Sequence, residues 1–378
     1  MKKLFSIALL AVLLGAGCKK DSEFLDIPPI QVLPNDVAFS DPALVLSILG
    51  DLYNRQPDFS ALDNRINPES RPAEPNNPET EAGWRTFADF SESFPSENGS
   101  YFLVQRTGWN YDEWRMDWSR SYGYIRELNL FIARDSASTA LPAADKARFM
   151  AEARFLRANF YFELVKRMGG VPLVLSNLNY DSAKGDVSSL QVPRARESEI
   201  YDFIINEAEA IKNTLPNDAN QKSRATKAAA LAMEARAALY AGSIAKYGVN
   251  TPQVSLPGGE VGIPVARATG YYQTALKAAQ EIINGTAGTY QLYRVLPDLS
   301  DNFAAVFLDK SSVNQESIFV EDFRAGGGKV HAYTINNQPY SISDEGGDAG
   351  RLNPSLNLVQ AFERLDNTFA LVSDGASV

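Results

Sequence analysis

Cys18 is the chain's only cysteine, and it stands directly behind Gly15-Ala16-Gly17. Lys2 and Lys3 come before an apolar run from Leu4 to Leu14. Positive, apolar and small-residue parts in that order make a secretory signal over residues 1–17. The run is too short to span a bilayer, which takes roughly 20 residues. A lone cysteine just after the small residues points to a lipoprotein signal, with lipid attached to Cys18 once the preceding residues are removed. The usual lipobox has Leu three places before the cysteine; Gly15 stands there, and Leu14 lies one place earlier. An ordinary signal peptide with a cysteine nearby is the alternative reading.

Few other residues offer reactive chemistry. There is one histidine, His331, whereas zinc sites and His-based nucleophilic sites usually need several, or Cys–His sets. No HExxH, GxSxG or GxxxxGK(S/T) motif occurs, and Gly326-Gly327-Gly328-Lys329 lacks the spacing of a phosphate loop. His331 therefore reads as a loop residue. The 46 Asp and Glu residues leave room for a carboxylate pair of glycosidase type, but the sequence nominates none. No metal and no cofactor is expected, and the motif content leans against an enzyme.

Composition narrows the partners. The formal charge is −10, and losing Lys2 and Lys3 with the signal brings it to −12. An acidic chain without a Lys/Arg cluster is a poor binder of nucleic acid, which needs a basic footprint. It also lacks the polybasic patch that would hold an anionic membrane surface. With Cys18 acylated, no thiol remains for disulfides, so the fold rests on its core. A 45% hydrophobic content supplies one.

The elements that must position any site are mostly helical. Lys19 to Glu23 is a polar tether, and the prolines keep Phe24-Leu25-Asp26-Ile27-Pro28-Pro29 extended. Asp41 and Pro42 make an N-cap and first residue for a helix reaching Asn54, with Leu44, Ile48, Leu49 and Leu52 at the helical period. Residues 55–110 show no sustained period but carry many prolines and aromatics; a loop of that length is often functional. Helices are predicted over 112–134, 143–168, 196–214, 224–247 and 269–284. The second is expected to stop at Gly169-Gly170, with Gly170 left-handed and Pro172 beyond. The fourth is alanine-rich (Ala225, Ala228, Ala229, Ala232, Ala235, Ala238, with Leu231 and Leu239), which lets a neighbour approach closely. Residues 286–378 read as mostly loop with one helix near 354–366. The expected fold is all-α, a degenerate tetratricopeptide-like stack of helix hairpins with long irregular loops.

Four segments taken in order resemble the SusD/RagB family of outer-membrane nutrient-binding lipoproteins of Bacteroidota. They are Cys18 followed by Phe24 to Pro29; Trp118-x3-Tyr122-x2-Ile125-x3-Asn129; Glu152 to Ala158 running through Tyr161 to Arg167 and Gly169-Gly170-Val171-Pro172-Leu173; and Ala225 to Ala230 through Ala235 to Tyr240. Asn353-Pro354 through Ala361-Phe362 resembles the start of the family's C-terminal portion. Family members usually continue well past that point, while this sequence stops at Val378, which reads as a short member or a truncated frame. The domain reading is a lipoprotein signal over 1–17, a SusD-like helical region over 18–250, and a loop-rich partial C-terminal region over 251–378.

The resemblance implies a non-catalytic lipoprotein on the outer face of the outer membrane. It would bind an oligosaccharide, or less often a peptide, and pass it to a SusC-type TonB-dependent transporter. A surface glycoside hydrolase and a helical scaffold with only protein partners are the competing readings. Sugar rings stack on aromatic faces while polar neighbours bond their hydroxyls. Trp84, Arg85, Asp89, Tyr101, Trp109, Asn110, Tyr111 and Trp114, with Arg115, supply that mixture in the region where the family builds part of its ligand face. Tyr333 and Tyr340 are weaker candidates. The plainer reading packs these rings onto the helices; Trp118 and Tyr122 are assigned to the core.

Overall fold

The computed structural model describes residues 35–54, 118–180, 185, 187–322, 339, 341, 354–363 and 368. The Asp41 carboxylate accepts the amide of Ala43 at 2.8 Å, so the helix that follows starts where Asp41-Pro42 places it. In chain order the helices are α1 (Asn35–Ala38), α2 (Pro42–Asn54), α3 (Trp118–Ala137), α4 (Ala143–Met168), α5 (Glu197–Ile211), α6 (Lys227–Tyr247), α7 (Ala268–Ile283), α8 (Leu299–Leu308) and α9 (Leu356–Ala361). Among the described residues there is no strand, only an isolated bridge between Thr286 and Gly288. From α3 to α7 each helix packs on the next, and α2 lies on α4. The fold is all-α, built from repeated helix pairs.

The centre of the stack is α4. It is flanked by α2 and α3 on one side and α5 on the other, so it has no single wet face, and 13 of its 26 residues are buried. That explains the dense run Phe155 to Val165, in which Phe155, Leu156, Phe160, Tyr161 and Phe162 are almost wholly removed from water. Rings meet edge to face across the helix pairs: Tyr124 with Phe160 at 5.2 Å, Tyr161 with Phe203 at 5.4 Å, and Phe162 with Tyr240 at 5.5 Å. On α6, Ala228, Ala229, Ala230, Ala237, Ala238 and Ala241 are buried because α5 and α7 press on it from two sides. Gly242 marks the tightest approach, since a Cβ there would lie 3.0 Å from the Tyr272 ring of α7. Thr226 caps α6 by accepting the Ala229 amide.

Several expectations need correction. The helix predicted from 112 is described only from Trp118, and the C-terminal one spans Leu356–Ala361 rather than 354–366. Leu239 is exposed and Ala235 only half-buried, so the alanine face is narrower than the composition implied. Helix α8 was not foreseen. Its buried residue is Asn302, while Leu299, Phe303, Phe307 and Leu308 are each more than 70% exposed.

The turn after α4 is the other correction. Gly169, at φ 69°, is the left-handed residue, and its amide closes on Val165 O at 3.0 Å. Gly170 is needed for space instead: a Cβ there would fall 1.9 Å from the carbonyl oxygen of Ala195. Its own carbonyl accepts Arg194 Nε at 2.7 Å, which ties the turn to the lead-in of α5. Gly170→Ala must therefore move backbone, and we expect a loss of about 3 kcal/mol, the upper end for overpacking. Thermal melting checks it; a variant melting with the wild type would mean this approach is not made.

Candidate functional site

Past Gly170 the chain runs extended as a strap, 171–180, laid across α3 and α4 without a strand partner. Its backbone groups are met by side chains. Asn129 of α3 donates to Val174 O at 3.0 Å, Tyr122 donates to Pro172 O at 2.7 Å, and the Val174 amide donates to the Tyr161 hydroxyl at 2.8 Å. Arg157 of α4 completes the bolt, donating to Asn129 Oδ1 at 2.7 Å and to Leu175 O at 3.2 Å. Glu207 of α5 accepts Arg154 in a two-pronged contact, at 2.9 and 2.6 Å, and lies 3.5 Å from Arg157. The strap is buried at Val171 and exposed toward its far end, and these side chains pair the carbonyls on its inner side.

Between the strap and α3 opens a cleft of about 320 Å³, lined by Tyr122, Arg126, Asn129, Pro172, Val174, Ser176, Leu178, Leu190 and Val192. Its volume is at the lower end for small-ligand sites. The walls are mainly apolar, and exposed Leu178 and Tyr180 extend the apolar surface along the strap. Arg126 at the rim is exposed and makes no ion pair among the described residues. The Asn129 amide and the Tyr122 hydroxyl are already committed to the strap.

Among the described residues that line it, the cleft holds no carboxylate and no imidazole. Burial raises the Tyr122 phenol far above its ordinary range, and burial pushes nearby Tyr161 up to about 12. Burial also lowers the Arg157 guanidinium, though its partners keep it a cation. Among the described residues no group of His, Cys, Asp and Glu could hold a metal ion. What the arrangement offers is an apolar groove with one free cation at its edge, which suits binding.

The sequence-derived site residues Trp84, Arg85, Asp89, Tyr101, Trp109, Asn110, Tyr111, Trp114, Tyr333 and Tyr340 lie outside the described residues, as do Cys18 and His331. Tyr122 is half-buried, as a core assignment requires; the Trp118 side chain is outside the description. The cleft itself was missed. Only its Tyr122, Asn129 and Pro172 fell within quoted motifs, and Arg126, Leu178, Leu190 and Val192 carry no local signal that would have gathered them.

Residues 60–239 match the family model described as SusD-like, starch-binding associating with outer membrane. A crystal structure of a SusD-like protein from Bacteroides fragilis superposes over 93% of the chain at 25% identity, with a TM-score of 0.60. The chain is similar to the SusD-like family over residues 60–239 and in its fold. A curated SusD-like protein of Bacteroides ovatus is 26% identical over 254 residues, covering 66% of this chain and 40% of its own length. Surface glycan-binding protein A from Bacteroides fluxus shares the fold, at 18% identity and a TM-score of 0.53, over 86% of this chain and 62% of its own. The chain thus spans about four-tenths of the curated SusD-like relative and 58% of the B. fragilis one. The strap, the cleft and the Arg157–Asn129 bolt all fall within the region that matches the family model.

Proposed function

We propose that this SusD-like chain is a non-catalytic, glycan-binding surface lipoprotein that hands oligosaccharide to a SusC-type TonB-dependent transporter. The match of residues 60–239 to the SusD-like family model is the observation that carries the reading. Residues 18–250 form the helical region and 251–378 a loop-rich C-terminal portion. Cys18 carries the lipid and holds the protein at the outer membrane, facing outward. Ligand is gripped by rings from the 80–115 segment (Trp84, Tyr101 and Trp109 foremost), with Arg85, Asp89 or Asn110 bonding the hydroxyls. The B. fluxus protein is described as glycan-binding, and the mainly apolar cleft beside Arg126 is suited to binding. No helix among the described residues is long and apolar enough to cross a membrane.

Growth with labelled palmitate tests the anchor. The wild type should take up label and copurify in mild detergent with a large barrel protein, and Cys18→Ala should lose the label. Equal labelling of both would remove the anchor, and recovery without any barrel would remove the transporter partner.

A further inference from the structure

The cleft between α3 and the strap is built from side chains in regular register. On α3, Tyr122, Arg126 and Asn129 stand four and three residues apart, which sets them on one helix face over about 10 Å. On the extended strap, Pro172, Val174, Ser176 and Leu178 are alternate residues and so turn to one side. Leu190 and Val192, from the lead-in to α5, complete the lining. The result is a narrow groove of about 320 Å³ with mainly aliphatic walls.

Its inner polar groups are already spent. Asn129 turns its amide hydrogens to Val174 O at 3.0 Å and Ser176 O at 3.4 Å, and its oxygen accepts Arg157. The Tyr122 hydroxyl gives its proton to Pro172 O. Of the lining side chains, the Arg126 guanidinium and the Ser176 hydroxyl, both exposed, keep donors for a ligand. A saccharide suits this poorly. Its hydroxyls would lose water against aliphatic walls that offer few partners, and the lining's one ring, Tyr122, is half-buried. A slender hydrocarbon body gains from the same walls, and an anionic head would meet Arg126. Among the described lining residues no carboxylate opposes such a head.

We propose that the cleft is a binding site for a linear aliphatic carboxylate, its chain laid along the strap and its head on Arg126. The site is separate from the loop rings proposed to grip glycan, so either can fail without the other.

Calorimetric titration of the whole chain with butyrate, hexanoate and octanoate, and with octanol as the uncharged match, tests it. Affinity should rise about fourfold for each methylene buried. Octanoate should bind about fivefold tighter than octanol, the gain from an exposed ion pair, and Arg126→Gln should erase that difference. Leu178→Ala should weaken octanoate several-fold by removing part of the apolar wall. Both positions are exposed, so neither variant should unfold. No binding of octanoate, or binding that either variant leaves unchanged, would overturn the proposal. Displacement of octanoate by maltoheptaose would overturn it too, by making the cleft a sugar site.

Discussion

Replacing Glu152 by alanine is expected to cost about 3 kcal/mol, because it breaks a buried, charge-paired junction. This carboxylate is fully buried on α4 and accepts four hydrogen bonds. Arg148 Nε donates at 3.0 Å, Arg224 donates through Nη2 at 2.5 Å and Nε at 2.9 Å, and the Tyr53 hydroxyl donates at 3.0 Å. Tyr53 in turn accepts the Ala225 amide at 2.9 Å. One carboxylate thus ties α2, α4 and the entry to α6. Burial, followed by the Glu152 charge, raises the Tyr53 phenol, so it remains a neutral donor throughout the working range. Removing Glu152 strands an arginine and a phenol together, and unpaired buried partners are what make such losses large. The arginines are partly exposed, which holds the figure to the lower end for a broken buried pair. Arg148→Ala removes a partly exposed i,i+4 pair and a hydrogen bond to Gln221 at 3.2 Å, and should cost about 1 kcal/mol. Chemical denaturation of both variants separates the cases; a Glu152→Ala protein as stable as wild type would mean the three-helix junction does not form.

The largest functional effect should come from the loop rings. Simultaneous replacement of Trp84, Tyr101 and Trp109 by alanine is expected to abolish glycan binding, each stacking ring being worth something like 1–3 kcal/mol. Helical content and melting temperature should stay near wild type, because from α3 to α7 each helix packs on the next. Rings that merely packed the loop onto the helices would give the opposite outcome, a lower melting temperature with affinity retained by the folded fraction. Normal binding by all three single variants would move the site elsewhere, to Tyr333 and Tyr340 or to the cleft beside Arg126.

The helical frame was legible because its signals are local. Asp41-Pro42 and Gly169-Gly170 mark ends, and the spacing of Phe149, Ala153, Leu156, Phe160 and Leu164 on α4 matches the burial found, whereas the Thr226 cap of α6 went unread. The motif segments around Glu152 and Ala225 read as separate pieces of helix grammar, yet they meet in space through Arg224. No pattern along one helix announces that pairing. Helix α8 escaped for a different reason. Its buried residue is polar: Asn302 accepts the Val295 and Leu296 amides and donates to Leu296 O and Asp298 O, while its apolar side chains point outward. A reading built on apolar stripes has nothing to follow there. The cleft was hidden because it is shaped by an aperiodic strap whose course depends on Asn129 and Arg157 from two helices. Gly170 shows the same limit, its role being set by a carbonyl 25 residues away rather than by its own dihedral angles.

The account stands or falls on glycan binding without turnover. Native gels cast with a panel of soluble α- and β-linked polysaccharides measure this directly, with the polymer's chain length read before and after incubation with the purified protein. At least one polysaccharide should retard the wild type but not the variant lacking all three rings, and its chain length should be unchanged. Free migration of the folded wild type through every gel, or shortening of the polymer it binds, would contradict it.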